Sequence, residues 1–238
     1  MEKVALAALK QMKREGRKIV GVVAWDYQIA QIVDRAGVEI VSVGDSVGEN
    51  LWGQGPEEIT FGELLFVCKA VRRGVKRALV SCDLPARFDQ HAMRLVKEGG
   101  ADLIKLEAPA ETVRAVARLG IPVFAEFHGG KHATHELVDQ ARRLEEAGAA
   151  LLDFRHSGPE AGAAVVEAVS IPVIGGLGGG PWLDGRMRMA HAAIGYAAGN
   201  LDSKTESYAN VARITLEAIN AYADDVRAGR HLKGQRPA

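Results

Sequence analysis

Short apolar runs alternate with segments of helical period along nearly the whole chain, and this alternation constrains the fold most strongly. Seven runs rich in β-branched residues are typical of buried strands, and RMRMAH from Arg186 is a weaker eighth. The seven are KIVGVVAW (from Lys18), EIVSVGD (Glu39), RALVSCD (Arg77), DLIKLE (Asp102), IPVFAEF (Ile121), ALLDFRH (Ala150) and IPVIGG (Ile171). Strict alternation predicts a parallel sheet with right-handed crossovers.

Eight such units in 238 residues favour an α/β fold of the closed (β/α)8 TIM-barrel type. An open doubly wound sheet is the alternative, but the first strand–helix turn, AWDYQ, lacks a dinucleotide-binding glycine pattern. Helical segments commonly end in a glycine before the next strand, as at Gly37, Gly74 and Gly148. Such glycines suit left-handed C-caps.

Two predicted helices fall outside the eight units. Residues 1–16 predict an N-terminal helix that would plug the bottom of the barrel, and residues 203–229 predict an extra C-terminal helix. We interpret residues 1–238 as a single domain. The C-terminal segment carries an apolar stripe that must pack either on its own barrel or on a neighbouring subunit. The stripe consists of Tyr208, Val211, Ala212, Thr215, Ile219, Tyr222 and Val226.

Charge and composition exclude several classes of partner. Thirty basic and thirty acidic residues cancel, so the chain has no basic face for nucleic acid. The charged N-terminus lacks the apolar core of a signal peptide, and no run approaches the ~18 apolar residues of a membrane span, which predicts a cytoplasmic protein without membrane contact. Cys68 and Cys82 are interpreted as small buried hydrophobes in a reducing compartment.

Acidic residues end three consecutive predicted strands. Asp45 ends the second, Asp83 the third and Glu107 the fourth, and in a barrel the chemistry lies at these carboxyl ends. Three converging carboxylates need a cation, and hard oxygen ligands suit Mg2+ or a similar ion. Lys105 points to the same side as Glu107 and would neutralise the cluster or hold a substrate oxyanion. Taken one at a time, these residues have a structural alternative: Asp45 and Asp83 are common before turns, and Lys105 and Glu107 are common as an ion pair.

Four segments carry a resemblance to a known family. They are VAWDYQIAQIVDRAGVEIVSVGDSVG, KAVRRGVKRALVSCDLP, LVKEGGADLIKLE and SIPVIGGLGGGPWLDGR. The chain from about Val20 to His191 thereby resembles ketopantoate hydroxymethyltransferase, of the phosphoenolpyruvate mutase and isocitrate lyase superfamily. Beyond His191 the family's last barrel segment is shortened or missing.

The resemblance implies a divalent metal, usually Mg2+, chelated by the carboxylate and keto oxygens of a 2-oxo acid. The family's metal- and substrate-binding residues fall on Asp45, Ser46, Asp83 and Glu107, and its substrate-holding lysine falls on Lys105. A metal bound in this way acts as a Lewis acid and stabilises an enolate, which attacks or leaves a one-carbon electrophile. The co-substrate implied is 5,10-methylenetetrahydrofolate or formaldehyde, and the family suggests a homo-oligomer.

Two positions depart from the family. Its proton-abstracting glutamate is replaced by Arg155, which cannot act as a base at neutral pH, and its histidine after the fifth strand is replaced by Glu126. We therefore expect Glu126 to transfer the proton, with Arg155 across the mouth holding a substrate carboxylate or tuning Glu126. The alternative is a simple ion pair between Asp153 and Arg155, two residues apart on one strand.

Two loops leave alternatives open. The histidines of HGGKHATH, at 128, 132 and 135, could bind metal, but their spacing fits no standard site and favours a mobile polar lid. The glycine-rich GGLGGGPWLDGR, residues 175–186, is compatible with phosphate binding or with plain turns.

Three functions remain open at this point. The first is hydroxymethyl transfer to 3-methyl-2-oxobutanoate or a related 2-oxo acid. The second is a carbon–carbon lyase or aldolase of the same superfamily, with Arg155 recognising a second carboxylate. The third is a non-catalytic relative that binds a 2-oxo acid.

Overall fold

The computed structural model describes residues 2–234, and its centre is a closed barrel of eight parallel strands. Each strand pairs with the next, and the eighth pairs with the first, which confirms the predicted (β/α)8 architecture. The weak eighth run does form a strand. The strands are β1 (Ile19–Val23), β2 (Ile40–Val43), β3 (Leu79–Asp83), β4 (Leu103–Glu107), β5 (Val123–His128), β6 (Ala149–Arg155), β7 (Val173–Gly175) and β8 (Gly185–Met189).

Helices connect most of the strands, and several begin at a side-chain cap. Asp26 accepts a hydrogen bond from the Ile29 amide, and Thr60 and Glu63 form a reciprocal capping box. The helices in residues 2–234 are α1 (Leu6–Arg14), α2 (Tyr27–Arg35), α3 (Phe61–Gly74), α4 (Ala92–Lys97), α5 (Ala110–Arg118), α6 (Thr134–Glu146), α7 (Pro159–Ala168), α8 (Ala190–Ile194) and α9 (Val211–Arg227). A π-helix spans Gly48–Trp52, and 3-10 helices span Ala86–His91 and Ala198–Leu201.

The glycines predicted as helix caps have two different roles. Gly37 and Gly148 have φ values of 86° and 100°, in the left-handed region that favours glycine. Gly74 is instead the last residue of α3. A Cβ at Gly74 would lie 2.7 Å from the Tyr27 carbonyl oxygen, so this glycine permits the close packing of α2 against α3.

The interior of the barrel changes from apolar to charged along its axis. Side chains near the starts of the strands form an apolar cluster, and the cluster includes Leu9 and Met12 of α1. Helix α1 therefore plugs the N-terminal end of the barrel, as the sequence predicted. Alternate residues of a strand face the same side, so the next inward-facing residue lies two positions further along each strand. On β2 to β6 this next residue is polar. Those buried polar residues are Ser42, Ser81, Lys105, Glu126 and Asp153.

The described residues cluster as two compact units, one up to Met189 and the other from Ala190 onwards, and the barrel belongs entirely to the first. The interpretation of the chain as one domain stays a prediction. In the second unit, α9 begins at Val211, after Asn210 accepts a hydrogen bond from the Arg213 amide, and it is thus shorter than the predicted helix over 203–229. Much of the predicted apolar stripe is exposed, including Tyr208, Ile219 and Tyr222.

No helix among the described residues combines the length and the apolar character required to cross a membrane.

Replacing Leu9 by alanine should destabilise the barrel, because this fully buried side chain closes the apolar cluster at its base. We expect a loss of about 2–5 kcal/mol in the free energy of unfolding, as for other buried leucines. The matched control is Lys10→Ala, at an exposed position on the same helix, which should change stability by no more than about 0.5 kcal/mol. Urea denaturation of both variants measures the difference, and equal midpoints would refute the role of α1 as a plug.

Candidate active site

A cavity of about 550 Å3 opens where the strands end, and it is lined mainly by charged side chains. It is bordered by the ends of β3 to β6 and by the loop residues that follow β2 and β3. Six of the seven predicted site residues line it: Asp45, Asp83, Lys105, Glu107, Glu126 and Arg155. The seventh, Ser46, lies directly after Asp45. The structure therefore brings together residues from five segments that are far apart in sequence.

Lys105 lies at the centre of an ionic network inside the barrel. Its ammonium nitrogen Nζ is 3.6 Å from Asp83 Oδ2 and 3.3 Å from Asp153 Oδ2, and it also contacts Glu126 Oε2. Burial alone would lower the pKa of Lys105, but the three surrounding carboxylates raise it. Lys105 is consequently a fixed cation.

Arg155 extends the network on the neighbouring strand. Its Nη2 is 2.8 Å from Glu126 Oε2, and its Nε is 3.5 Å from Asp153 Oδ2. Burial opposes the charged form, but Glu126 and Asp153 raise the pKa of Arg155. The expectation that Arg155 lies across the mouth from Glu126 is wrong in one respect, because β5 and β6 are adjacent and the two side chains are in contact. The alternative pairing with Asp153 is also present, so Arg155 is shared between two carboxylates.

Glu107, Glu126 and His128 form a second cluster at the rim. His128 Nε2 is 3.3 Å from Glu107 Oε2 and 3.3 Å from Glu126 Oε1. Among the described residues, this is the one set of three whose candidate metal-ligand atoms lie within 4.8 Å of one another. His132 and His135 do not join it, and His132 lies 3.7 Å from Glu136. The possible metal site formed by the loop histidines alone is therefore absent from this part of the chain.

The Asp83 carboxylate is an incompletely satisfied charge. Burial is the largest cause that raises its pKa to about 7; Lys105 opposes this shift, while Asp45 and Glu126 add to it. The Asp83 Oδ1 atom is buried and has no hydrogen-bond partner in residues 2–234. A cation next to Asp45 and Asp83 would satisfy that oxygen, so the residues present fit a divalent metal with oxygen ligands.

Gly44 lies beside these groups and also next to Val23, 3.3 Å from a Cβ built at this glycine. A Cβ at this position would lie 3.4 Å from Ser46 Oγ and 3.9 Å from Asp83 Oδ2.

Glu107 lines the same cavity, but the oxygens of Glu107, Asp45 and Asp83 do not all lie within 4.8 Å of one another. The predicted trio thus shares one cavity without forming a compact ligand set.

Asp153 is a site residue that sequence reasoning considered only as an ion-pair partner of Arg155. It is buried, contacts both Lys105 and Arg155, and accepts a hydrogen bond of 2.9 Å from the Gly176 amide. It therefore ties the network to the first residues of the glycine-rich loop. Its position two residues before Arg155 on β6 was the available signal, because that spacing directs both side chains inward.

Comparison with known proteins gives a consistent result. The profile of the ketopantoate hydroxymethyltransferase family matches residues 3–232. The chain is 31% identical over 254 aligned residues to 3-methyl-2-oxobutanoate hydroxymethyltransferase of Thermoanaerobacter sp. (strain X514), covering 95% of this chain and 92% of that protein. It is 34% identical to the enzyme of the same name from Rippkaea orientalis, covering 95% of this chain and 98% of that protein.

A solved structure with the same fold is that of 2,3-dimethylmalate lyase, a member of the PEP mutase/isocitrate lyase superfamily. It superposes with a TM-score of 0.65 at 14% identity and covers 98% of this chain and 92% of that one. At this identity the likeness establishes the fold alone.

The metal-free protein should lose stability as the pH rises through 7, because the folded state holds the Asp83 proton more tightly than the unfolded chain. The pKa of Asp83 is raised from 3.8 to about 7, so the stabilising contribution is full below pH 3.8 and is lost above 7. At about 1.4 kcal/mol per pKa unit, wild type should lose roughly 2–3 kcal/mol relative to Asp83→Asn between pH 5 and pH 8.

Urea denaturation in EDTA at the two pH values measures this difference, with Asp139→Asn on the exposed face of α6 as control. Added Mg2+ should restore the stability of wild type at pH 8 and have little effect on Asp83→Asn. If the free energy of unfolding changes with pH in the same way for wild type and Asp83→Asn, then Asp83 does not destabilise the metal-free protein at high pH.

Proposed function

The chain belongs to the ketopantoate hydroxymethyltransferase family, and on that premise we propose that it is a divalent-metal-dependent enzyme acting on a 2-oxo acid through an enolate. The proposed reaction is transfer of a hydroxymethyl group to 3-methyl-2-oxobutanoate or a related acid. The observation that carries the proposal is the buried Asp83 Oδ1, which has no hydrogen-bond partner among residues 2–234, in a cavity that Asp45 and Lys105 also line.

We assign metal binding to Asp45, Asp83 and Glu107, with Mg2+ as the expected ion. When bound, the ion acts as a Lewis acid on the carboxylate and keto oxygens of the acid and lowers the pKa of the neighbouring carbon. We assign binding of the substrate carboxylate to Ser46, and its position directly after Asp45 supports this role. Lys105 supplies a fixed positive charge for the developing enolate oxygen.

Glu126 is our candidate for the group that removes the proton. Its Oε2 atom is held by Lys105 and Arg155, so its Oε1 atom has a defined direction, towards the rim and His128. Arg155 directly contacts Glu126, and this contact supports a role for Arg155 in tuning Glu126 rather than in binding the substrate. The resulting enolate carbon would form a new carbon–carbon bond to formaldehyde, either free or released from 5,10-methylenetetrahydrofolate when water replaces its two C–N bonds and tetrahydrofolate leaves. The carbonyl oxygen of formaldehyde would take up a proton and become the new hydroxyl group.

The lyase alternative depended on an Arg155 free to recognise a second carboxylate. In the structure both Glu126 and Asp153 already pair with this guanidinium, which favours the transferase. Assembly as a homo-oligomer and a cytoplasmic location complete the proposal; the family supports the first, and two buried, unbridged cysteines agree with the second.

Glu126→Gln should abolish proton–deuteron exchange at the carbon next to the keto group of 3-methyl-2-oxobutanoate, because the amide cannot accept the proton. Wild type with Mg2+ in D2O should exchange without added folate, and proton NMR of the acid follows the loss of signal. Binding of Mg2+ and of the acid, measured by calorimetry, should persist in the variant. The control is Glu111→Gln, in the first turn of α5 and away from the cavity lining.

The outcomes separate the three functions. Exchange in wild type followed by hydroxymethylated product with a one-carbon donor supports the transferase. Exchange with cleavage of another 2-oxo acid, and no product with a donor, would favour the lyase. Binding without exchange in wild type would identify a non-catalytic relative, and full exchange in a folded Glu126→Gln variant would exclude Glu126 as the base.

A further inference from the structure

Arg87 is a third cation at the cavity, and it lies in the 3-10 helix that follows β3. The two cations of the inner network are paired with carboxylates, but no carboxylate of residues 2–234 lies within 4.0 Å of the Arg87 guanidinium nitrogens. Arg87 instead donates a hydrogen bond of 3.3 Å to the Ile59 carbonyl oxygen, and its Cζ lies 4.7 Å from the centroid of the Phe88 ring. An arginine has five N–H donors, so most donors of Arg87 are available to a ligand.

The segment that carries Arg87 is anchored at both ends. At one end the Leu84 amide donates a hydrogen bond of 2.7 Å to the Lys105 carbonyl oxygen of β4. At the other end the partly buried Phe88 ring packs edge-on against Phe61, the first residue of α3, with ring centroids 5.8 Å apart. The backbone and the ring that support the guanidinium are therefore fixed before a ligand binds, and the planar fork of an arginine matches a carboxylate.

The apolar part of the cavity lining comes from the same two loops. Pro56 and Ile59 precede α3, and Leu84, Pro85 and Ala86 follow β3. The cavity of about 550 Å3 lies in the size range of sites for drug-sized ligands. It is therefore larger than a five-carbon acid requires, and it has room for part of a second molecule.

A carboxylate for Arg87 is absent from two of the three proposed reactants. The single carboxylate of 3-methyl-2-oxobutanoate is assigned to the metal and Ser46, and formaldehyde carries no charge. The folate donor, 5,10-methylenetetrahydrofolate, carries two glutamyl carboxylates at the end of the molecule that is remote from the pterin ring. Of the proposed reactants, the folate alone supplies an anionic group to Arg87.

The charge of the lining restricts where that anionic end can bind. Six carboxylates and three cations line the cavity, and two of these cations are already paired with acids. Glu49 and Glu57, between β2 and α3, belong to this set and repel a further carboxylate. A glutamyl carboxylate is therefore favoured at Arg87 and disfavoured along the acidic part of the lining, which orients the donor.

We propose that Arg87 binds a glutamyl carboxylate of 5,10-methylenetetrahydrofolate and thereby selects the folate over free formaldehyde as the one-carbon donor. Arg87 is thus a specificity-determining residue for the co-substrate and takes no part in proton removal. The identity of the donor in this inference rests on the proposed function.

Calorimetry with tetrahydrofolate and its diamide, in which both glutamyl carboxylates are neutral, tests the contact directly. The full chain is loaded with Mg2+ and 3-methyl-2-oxobutanoate. Wild type should bind tetrahydrofolate about fivefold more tightly than the diamide, as expected for a good exposed ion pair, and Arg87→Gln should lose this preference. Arg87→Lys should keep part of it, because lysine retains the charge but not the fork.

The matched control is Arg94→Gln, which should keep the full preference. Arg94 also lies over a phenylalanine ring, but it pairs with Glu98 and lies outside the cavity lining. In the turnover assay, Arg87→Gln should lower kcat/KM for 5,10-methylenetetrahydrofolate about fivefold more than it lowers kcat/KM for formaldehyde, and Arg94→Gln should not change this ratio.

Three results would overturn the inference. The first is an equal preference for tetrahydrofolate over the diamide in wild type and folded Arg87→Gln, and the second is no preference in wild type. The third is weaker binding of 2-oxoglutarate to Arg87→Gln in place of the folate effect, which would assign Arg87 to a second carboxylate on the acid. Absence of deuterium exchange in wild type would count against the proposed function, while the calorimetric comparison would still decide whether Arg87 binds the glutamyl carboxylate.

Discussion

The buried ammonium group of Lys105 is the constraint on which the organisation of this site depends. An unpaired charge inside the barrel would be costly, so carboxylates from three strands surround it: Asp83 from β3, Glu126 from β5 and Asp153 from β6. Removing Lys105 would leave these three buried carboxylates with Arg155 as their one remaining cation in the network of residues 2–234. The network therefore fixes the direction of the same side chains that border the cavity.

The axial gradient of the barrel explains how a charged network is tolerated. Apolar side chains and α1 fill the N-terminal end, which supplies the packed core. The first inward polar positions above it include Ser42 and Ser81, whose buried hydroxyls have no hydrogen-bond partner in residues 2–234. The charged groups begin at Lys105 and continue to the exposed Glu107 at the rim. Polarity thus increases towards the mouth, where Asp83 Oδ1 is the buried carboxylate oxygen without a hydrogen-bond partner among residues 2–234.

The fold was predictable because strand alternation and barrel closure follow from local sequence patterns. The positions of Asp45, Asp83, Lys105 and Glu107 around one cavity were equally predictable, since the ends of parallel strands meet at one face. Pairing between strands was harder to predict, because it depends on register. The sequence placed Arg155 opposite Glu126, whereas the β5–β6 register brings them into contact. The same register makes Glu107, Glu126 and His128 a cluster, which spacing along β5 alone could not reveal.

The contact between Glu126 and Arg155 also bears on how the family's chemistry transfers to this chain. The resemblance places the family's base at position 155 and its histidine at position 126, so a carboxylate has moved from β6 to β5. Neighbouring strands lie about 4.8 Å apart, and a base displaced by that distance approaches a bound acid from a different direction. The proposed metal ligands Asp45, Asp83 and Glu107 lie outside this exchange, after β2 and at the ends of β3 and β4. Binding of the 2-oxo acid and removal of its proton are therefore separable properties of this barrel. Proton removal depends on Glu126 of β5 and Arg155 of β6.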